Sequence, residues 1–131
     1  MRPGAGIVVV RDLNGEHEVL CLICQDGTLD LTKGVTDGGE SSFEAAKREA
    51  KEEAGIDQLS FQWGSDPYVS DNILTMYVAK TEQEPIILKN PHTGTMEHRG
   101  IKWLTFDECL NSNMKEFLKP SIEWAQDKVN N

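Results

Sequence analysis

The sequence lacks any apolar run that approaches the roughly 18 residues needed to span a bilayer. Its first residues lead directly into a strand-like segment and lack the charged and apolar regions of a signal peptide. Basic residues are few as well: 13 lysines and arginines stand against 22 aspartates and glutamates, a net charge of -9. This balance argues against a basic face that coats nucleic acid, although an RNA 5′ end stays possible as a substrate. We therefore expect a cytoplasmic protein with no membrane segment.

Cysteine is also scarce, with three residues in the chain. Cys21 and Cys24 form a C-x-x-C pair, but the pair lies inside an apolar, strand-like run. Positions three apart on a strand point to opposite faces of the sheet, so the two thiols are predicted to diverge. No second pair and no nearby histidine completes a zinc site. We expect reduced, structural cysteines, as is usual in the cytoplasm.

Segments with strand and helix character follow one another without a linker or repeat, which predicts one domain over residues 1–131. Strands are predicted at 6–10, 18–24, 28–32, 59–64, 73–80 and 100–104. Helices are predicted at 41–54, 107–110 and 115–129, with a loop at 33–40. Asn14-Gly15 is a strong hairpin signal between the first two strands. The predicted fold class is therefore α+β.

The predicted helix 41–54 carries three carboxylates on one face. Glu49, Glu52 and Glu53 stand at i, i+3 and i+4, so a helix stacks them. Like charges at these offsets repel, and helix propensity does not require them. A run of this kind is usually a solvated helix face, but a carboxylate cluster is also what hard cations such as Mg²⁺ bind.

A glycine-rich loop comes directly before this helix. Its free backbone N–H groups, together with Lys33, are suited to contact phosphate. Arg48 is predicted to pair with Glu40 and so to hold the loop onto the helix. These residues belong to a pattern, Gly-x5-Glu-x7-Arg-Glu-x2-Glu-Glu-x-Gly, that runs from Gly34 to Gly55. Because the pattern fixes seven residues at set spacings, a chance match is improbable.

This pattern resembles the Nudix box, with Ala50 where the family usually carries a larger aliphatic residue. The resemblance implies an α/β/α sandwich in which a mixed β-sheet packs between helices. It implies that Glu52 and Glu53 are the main metal ligands. Glu49 is then a further ligand or the group that accepts the proton of the nucleophilic water, and the Gly34 carbonyl is the backbone ligand.

The resemblance also implies a reaction. Two or three Mg²⁺ ions, with Mn²⁺ as an alternative, neutralise a diphosphate and lower the pKa of a bound water. Attack of that water on phosphorus cleaves a nucleoside diphosphate from the moiety linked to it. Arg48 and Glu40 take the role of the family's structural pair. The implied partner is a small-molecule nucleotide, and the chain is expected to act as a monomer or a homodimer.

Residues 30–34 bear on the choice of substrate. They resemble the Pro-Lys-Gly approach of asymmetric diadenosine tetraphosphate hydrolases and RNA pyrophosphohydrolases, with Thr32 in the position of the proline. This resemblance implies that Lys33 touches phosphate.

A second segment bears on the same choice. Glu97-His98, followed by Trp103-Leu104, resembles a segment of the diadenosine tetraphosphate hydrolases. The resemblance implies that Glu97 reaches the metal cluster, and it makes His98 a candidate substrate-binding residue. Tyr77 is a candidate for stacking on a base, with core packing as the alternative for an aromatic residue on a strand.

Three hypotheses for the function follow. The favoured one is hydrolysis of dinucleoside polyphosphates, which gives ATP and AMP from diadenosine tetraphosphate. The second is action on another diphosphate: an RNA 5′-triphosphate end, an ADP-sugar or a diphosphoinositol polyphosphate. The third is a catalytically inactive domain that binds or senses nucleotides, against which the three helix carboxylates argue.

Overall fold

The computed structural model describes residues 3–71 and 73–131. The described strands are β1 (Gly4–Leu13), β2 (Glu16–Cys24), β3 (Leu29–Asp30), β4 (Thr32–Val35), β5 (Tyr68–Ser70), β6 (Leu74–Lys80) and β7 (His98–Thr105). The described helices are α1 (Ser42–Ala54), α2 (Phe106–Leu110) and α3 (Lys119–Asn130), with a 3-10 helix at Glu116–Leu118.

The strands form one mixed sheet. Its main order is β3–β2–β1–β6–β5, while β4 pairs with β1 and β7 pairs with β2. β1 and β6 run parallel, and the other pairs are antiparallel. The hairpin between β1 and β2 turns at Asn14 and Gly15, whose φ angles of 52° and 83° suit the tight turn that the sequence predicts.

Helices cover both faces of the sheet, so alternate residues of β1 pack into different cores. Val8 and Val10 belong to the core that includes Ile122 of α3. Ile7 and Val9 belong to the core under α1. The α1 residues buried in that core are Ala45, Ala46, Ala50 and Ala54. The order helix, sheet, helices confirms the predicted α/β/α sandwich and its α+β class.

Local hydrogen bonds fix both ends of α1. The Ser41 hydroxyl accepts a hydrogen bond from the backbone N–H of Glu44, and the Glu44 carboxylate accepts one from the N–H of Ser41. This reciprocal pair is a capping box. Gly55 ends the helix with a φ of 67°, a conformation that glycine adopts without strain. The predicted helix 41–54 is confirmed to within one residue.

The predicted strand 28–32 and loop 33–40 are wrong at their junction, whereas residues 36–40 form a loop as predicted. Leu29–Asp30 and Thr32–Val35 are separate strands, and the second pairs antiparallel with β1. Gly6 of β1 permits this pairing, because a Cβ there would lie 2.3 Å from the Thr32 carbonyl oxygen. The close approach of two backbones places the start of the predicted loop in the sheet.

Two other predictions also need correction. The segment 59–64 is not a strand and contributes a single bridge, Ser60 to Lys80. The short strand β5 pairs with β6 instead, and a strand of three residues shows too little alternation to be predicted. The C-terminal helix begins later than the predicted 115–129, with Pro120 in the first turn of α3, where proline is tolerated.

The cysteines lie where the strand geometry predicts. Cys21 is buried in the core, with its sulfur 3.6 Å from that of Cys109. Cys24 instead lines a cleft and donates a hydrogen bond of 3.9 Å to the Asp30 carboxylate. The two thiols of the C-x-x-C pair diverge, and all three cysteines are free. Within residues 3–71 and 73–131, the helices are too short or too polar to cross a membrane.

Candidate active site

An open cleft of about 770 Å³ lies between β4, α1 and the segment that leads into β7. We call it the acidic cleft and define it by the residues Asp30, Lys33, Gly34, Glu49, Glu53, Glu97, His98 and Lys115. Strands β3, β4 and β7 and helix α1 carry six of these eight residues, while Glu97 directly precedes β7 and Lys115 directly precedes the 3-10 helix. Placement on regular elements favours a precise arrangement of reactive groups.

The carboxylate of Glu53 lies in the wall of the cleft. Its Oε1 accepts a hydrogen bond of 2.8 Å from the backbone N–H of Lys33, which ties α1 to β4. Burial, reinforced by the charge of Glu49, raises the pKa of Glu53 to about 9. Burial also raises the pKa of Glu49. Partly buried carboxylates with raised pKa values ionise more readily once a cation is bound beside them.

Glu97, which directly precedes β7, also lines the cleft. Oxygen atoms of Glu53 and Glu97 and a ring nitrogen of His98 lie within 4.8 Å of one another. Glu97 also accepts a hydrogen bond of 3.1 Å from the Asn90 side chain. Oxygen-rich sets of this kind fit divalent cations such as Mg²⁺ or Mn²⁺. The donors present therefore fit the metal that the sequence pattern implies.

Arg48 also lines the cleft and contacts several carboxylates directly. It donates hydrogen bonds of 2.7 Å to Glu40, 2.9 Å to Glu49 and 2.9 Å to Glu52. It also donates one of 3.0 Å to the Val35 carbonyl. The structure thus brings the predicted pair of Arg48 and Glu40 together and adds two of the helix carboxylates to it.

These bonds have electrostatic consequences. The hydrogen bonds from Arg48 hold the pKa of Glu40 below its usual range, and those to Glu40 raise the pKa of Arg48. Glu52 faces Arg48 and a smaller cavity that it shares with Glu49, Glu53 and Glu97. As a metal ligand it would act from that side of the cluster.

Asp30 forms the floor of the cleft and is buried. His98 Nε2 lies 3.3 Å from its carboxylate, Lys33 Nζ lies 3.2 Å away and Lys115 Nζ lies 3.2 Å away. Burial alone would raise the pKa of Asp30, but the His98 hydrogen bond and the two ammonium charges outweigh it and hold the pKa far below its usual range. Asp30 is therefore ionised and keeps both lysines in place.

Asp30 and Lys115 are site residues that the sequence analysis did not assign. Asp30 stands between two leucines, and this apolar context indicates a buried carboxylate that needs charged or hydrogen-bonding partners. Lys115 gave no signal, because 85 residues separate it from Asp30. His98, predicted beside the substrate, is buried and contacts Asp30.

Tyr77 does not line the cleft, and its predicted role in stacking on a base needs correction. It is 5% exposed and packs in the core under α1. Its hydroxyl lies 2.8 Å from the Ser42 hydroxyl, and its ring meets Phe43 edge-on at a centroid distance of 5.1 Å. These contacts leave no ring face for a ligand.

Gly34 has a steric role at the site. It pairs with Ala5 across β1 and β4, and a Cβ at this position would lie 2.2 Å from the Glu49 carboxylate. Only a residue without a side chain leaves Glu49 in place, so the position requires glycine.

We expect Gly34→Ala to weaken Mn²⁺ binding, measured by titration calorimetry, by about tenfold or more, because it displaces a carboxylate of the cluster. Gly38→Ala is the matched control, since a Cβ at Gly38 meets nothing within 4 Å. Equal Mn²⁺ affinities for the two variants would contradict the role given to Gly34.

Comparisons with known proteins agree with this site. A family model described as NUDIX domain matches residues 1–125. A structure of a C. elegans Ap4A hydrolase binary complex has a TM-score of 0.77 and 22% identity, covering 99% of this chain and 98% of that chain. A second structure of C. elegans Ap4A hydrolase has a TM-score of 0.68 and 25% identity over 100% of both chains.

A third similar structure is RenU, a Nudix hydrolase from M. smegmatis. Its TM-score is 0.78 at 18% identity, covering 98% of this chain and 86% of that chain. No relative was found among curated proteins. The family match spans nearly the whole chain, and the fold surrounds a carboxylate cluster that fits a divalent cation. The chain therefore belongs to the NUDIX domain family and is a Nudix pyrophosphohydrolase.

Proposed function

We propose that this enzyme hydrolyses dinucleoside polyphosphates, with diadenosine tetraphosphate giving ATP and AMP. The observation that carries the proposal is the pairing, in one cleft, of a carboxylate cluster with two ammonium groups. Glu53 and Glu97 belong to the carboxylate cluster, while Lys33 Nζ and Lys115 Nζ each lie 3.2 Å from the Asp30 carboxylate. A diphosphate needs only the cations held by the carboxylate cluster, whereas a longer polyphosphate chain also uses the two lysine ammonium groups.

The carboxylates are proposed to hold two or three Mg²⁺ ions, or Mn²⁺ in their place. The proposed ligands are Glu49, Glu52, Glu53, Glu97 and the Gly34 carbonyl. When bound, such ions neutralise phosphate charge and lower the pKa of a bound water.

The chain's own groups then have separate tasks. The Lys33 N–H fixes the Glu53 carboxylate, and the Lys33 and Lys115 ammonium groups bind phosphate oxygens away from the cluster. A glutamate of α1, with Glu49 as the candidate, takes the proton of the attacking water. The water oxygen forms a bond to phosphorus while the bridging P–O bond breaks, and the electron pair of the broken bond leaves with the departing phosphate.

The residues named belong to one chain, so a monomer suffices for the reaction and a homodimer is compatible with it. We further propose that the chain acts as one domain, because both cores pack on a single sheet. The proposed location is the cytoplasm, which fits three free cysteines. Fold similarity to Ap4A hydrolase supports the choice of substrate.

The test is a panel of pyrophosphate substrates assayed with Mg²⁺ and resolved by chromatography. We expect ATP and AMP from diadenosine tetraphosphate at a higher kcat/KM than for ADP-ribose, triphosphorylated RNA or a diphosphoinositol polyphosphate. The matched control is Glu53→Gln purified by the same procedure. Its residual turnover measures the activity of contaminating enzymes. Turnover of another member of the panel, with diadenosine tetraphosphate left intact, would refute the substrate assignment.

A further inference from the structure

Three strands bring a thiol, a carboxylate and an imidazole together in the acidic cleft. They belong to Cys24 of β2, Asp30 of β3 and His98 of β7, and we call these residues the mixed triad. The Cys24 sulfur lies 3.9 Å from the Asp30 carboxylate, and His98 Nε2 lies 3.3 Å from the same carboxylate. One sulfur, one nitrogen and one oxygen atom of the triad lie within 4.8 Å of one another. The triad therefore offers a different set of donors from the carboxylates of α1.

The sheet itself positions the mixed triad. The register of β2 against β7 shifts just before Cys24, so that Cys24 pairs with His98 rather than with Arg99. A bulge of this kind re-aims a side chain, and here it sets the imidazole opposite the thiol. On the other side of β2, Asp30 pairs with Leu22, two residues before Cys24, so the carboxylate and the thiol share a face of the sheet. Hydrogen-bonded strands thus hold all three groups, as a precise metal site requires.

We infer that the mixed triad binds one Zn²⁺ ion. Zinc takes cysteine sulfur at about 2.3 Å, histidine nitrogen at about 2.0–2.1 Å and carboxylate oxygen at about 2.0–2.2 Å, in a tetrahedral arrangement. Neighbouring ligand atoms of such a site lie about 3.3–3.6 Å apart. The separations of 3.3 Å and 3.9 Å in the triad are close to this range. Because the triad lines an open cleft, the fourth ligand comes from solvent.

The donor set distinguishes this site from the proposed magnesium site. Mg²⁺ prefers carboxylate, carbonyl and water oxygens, whereas a thiolate with an imidazole selects Zn²⁺. A protein that holds Mg²⁺ on the carboxylates of α1 therefore still has a separate place for Zn²⁺. His98 also lies beside Glu53 and Glu97, so Zn²⁺ at the triad would engage the imidazole and leave the oxygen atoms of these two glutamates to Mg²⁺.

Two lysines now supply the positive charge that faces Asp30. Lys33 Nζ and Lys115 Nζ each lie 3.2 Å from its carboxylate. A Zn²⁺ ion carries the same charge as two ammonium groups, and zinc ligation converts the Cys24 thiol to a thiolate with release of the proton to solvent. The exchange therefore leaves no excess positive charge at the triad. Both lysines line the open cleft, and a flexible four-carbon side chain lets each ammonium group turn towards solvent.

The test uses Co²⁺ as a spectroscopic probe for Zn²⁺, since Co²⁺ binds the same kinds of ligand. The full chain is titrated with Co²⁺ in excess Mg²⁺, which fills the carboxylate cluster, and with a phosphine reductant that keeps the thiols reduced. A thiolate ligand gives Co²⁺ an intense charge-transfer band in the near ultraviolet, which oxygen and nitrogen ligands do not give. We expect this band to saturate at one equivalent of Co²⁺ in the wild type and to disappear when Zn²⁺ is added.

Cys24→Ser should abolish the band and weaken Zn²⁺ binding by about 100-fold or more, because loss of a direct ligand exceeds the effect of an outer-shell residue. Cys109→Ala is the matched control: it removes a thiol that is fully buried in the core and should keep the band and the Zn²⁺ affinity. Glu53→Gln should keep both as well, because Glu53 is outside the triad.

Three results would overturn the inference. The first is a wild type that shows no thiolate band at saturating Co²⁺, a result that does not depend on how any variant folds. The second is loss of the band in Cys109→Ala, which would assign it to the core thiols. The third is equal Zn²⁺ affinity in Cys24→Ser and Cys109→Ala. None of these measurements involves turnover, so the proposed function is tested separately.

Discussion

Glu53→Gln is expected to lower kcat by about 10³-fold or more while making the metal-free protein more stable at alkaline pH. The loss of turnover follows because a neutral amide replaces a proposed metal ligand, and a bound metal supplies several kcal/mol of transition-state stabilisation. The glutamine Oε1 can still accept the hydrogen bond that Lys33 N–H gives to Glu53, so the tie between α1 and β4 is kept. The variant therefore separates the charge of Glu53 from its structural contact.

The stability effect has a definite sign. Burial raises the pKa of Glu53 from 4.5 to about 9. Between these values the folded state binds more protons than the unfolded state, so the stability contributed by Glu53 falls as pH rises. Above about pH 9 the loss is complete, and below pH 4.5 it is absent. Glutamine does not titrate, so the variant escapes this loss.

Thermal melts of metal-free protein from pH 5 to pH 9 check this prediction. The Tm of Glu53→Gln should exceed that of the wild type by a margin that widens with pH, reaching about 3 °C or more. Glu123→Gln, an exposed carboxylate on α3, is the control and should follow the wild type. A constant margin would contradict the raised pKa, and near wild-type turnover would contradict the metal assignment.

The carboxylate face could be predicted from the sequence because its geometry is local. One helix fixes the positions of Glu49, Glu52 and Glu53, and the capping box and Gly55 fix the helix ends. Such interactions span a few residues, and the spacing alone therefore determines them. The same holds for the hairpin at Asn14-Gly15 and for the divergence of Cys21 from Cys24.

The floor of the cleft could not be predicted, because it depends on tertiary contacts. Asp30 meets His98 and Lys115 across 68 and 85 residues, and no pattern in the sequence pairs them. The error at Tyr77 has a related cause. When helices cover both faces of a sheet, alternate residues of a strand pack into different cores. The sequence alone does not show which of these residues lie under α1.

Substitution of Arg48 is expected to have the second large effect. It separates the neutralisation of the nearby carboxylates from the positioning of the site. Arg48→Ala leaves Glu40, Glu49 and Glu52 without the guanidinium that each contacts at 2.7–2.9 Å. These carboxylates are partly buried, so we expect the metal-free protein to lose about 1–3 kcal/mol of unfolding free energy. We also expect kcat to fall by about 10–100-fold, since residues that orient ligands commonly have effects of this size.

Excess Mg²⁺ should restore much of the stability of Arg48→Ala but not its turnover. Bound cations neutralise the same carboxylates that the guanidinium neutralised. They do not replace the hydrogen bonds from Arg48 to the Val35 carbonyl and to Glu40, which hold the segment after β4 on α1. Arg48→Lys should behave similarly, because one ammonium group cannot span three carboxylates and a carbonyl.

Arg11→Ala is the matched control for this experiment. Arg11 makes a two-bond ion pair with Glu18, at 2.9 Å and 2.8 Å, on the hairpin of β1 and β2. Loss of one partly exposed pair typically costs about 1 kcal/mol or less. Unfolding in urea is measured with and without Mg²⁺ for both variants, together with kcat. These measurements distinguish a residue that holds several carboxylates in place from a residue in a single ion pair. If Arg48→Ala loses no more stability than Arg11→Ala, or regains full kcat in Mg²⁺, then Arg48 does not position the site.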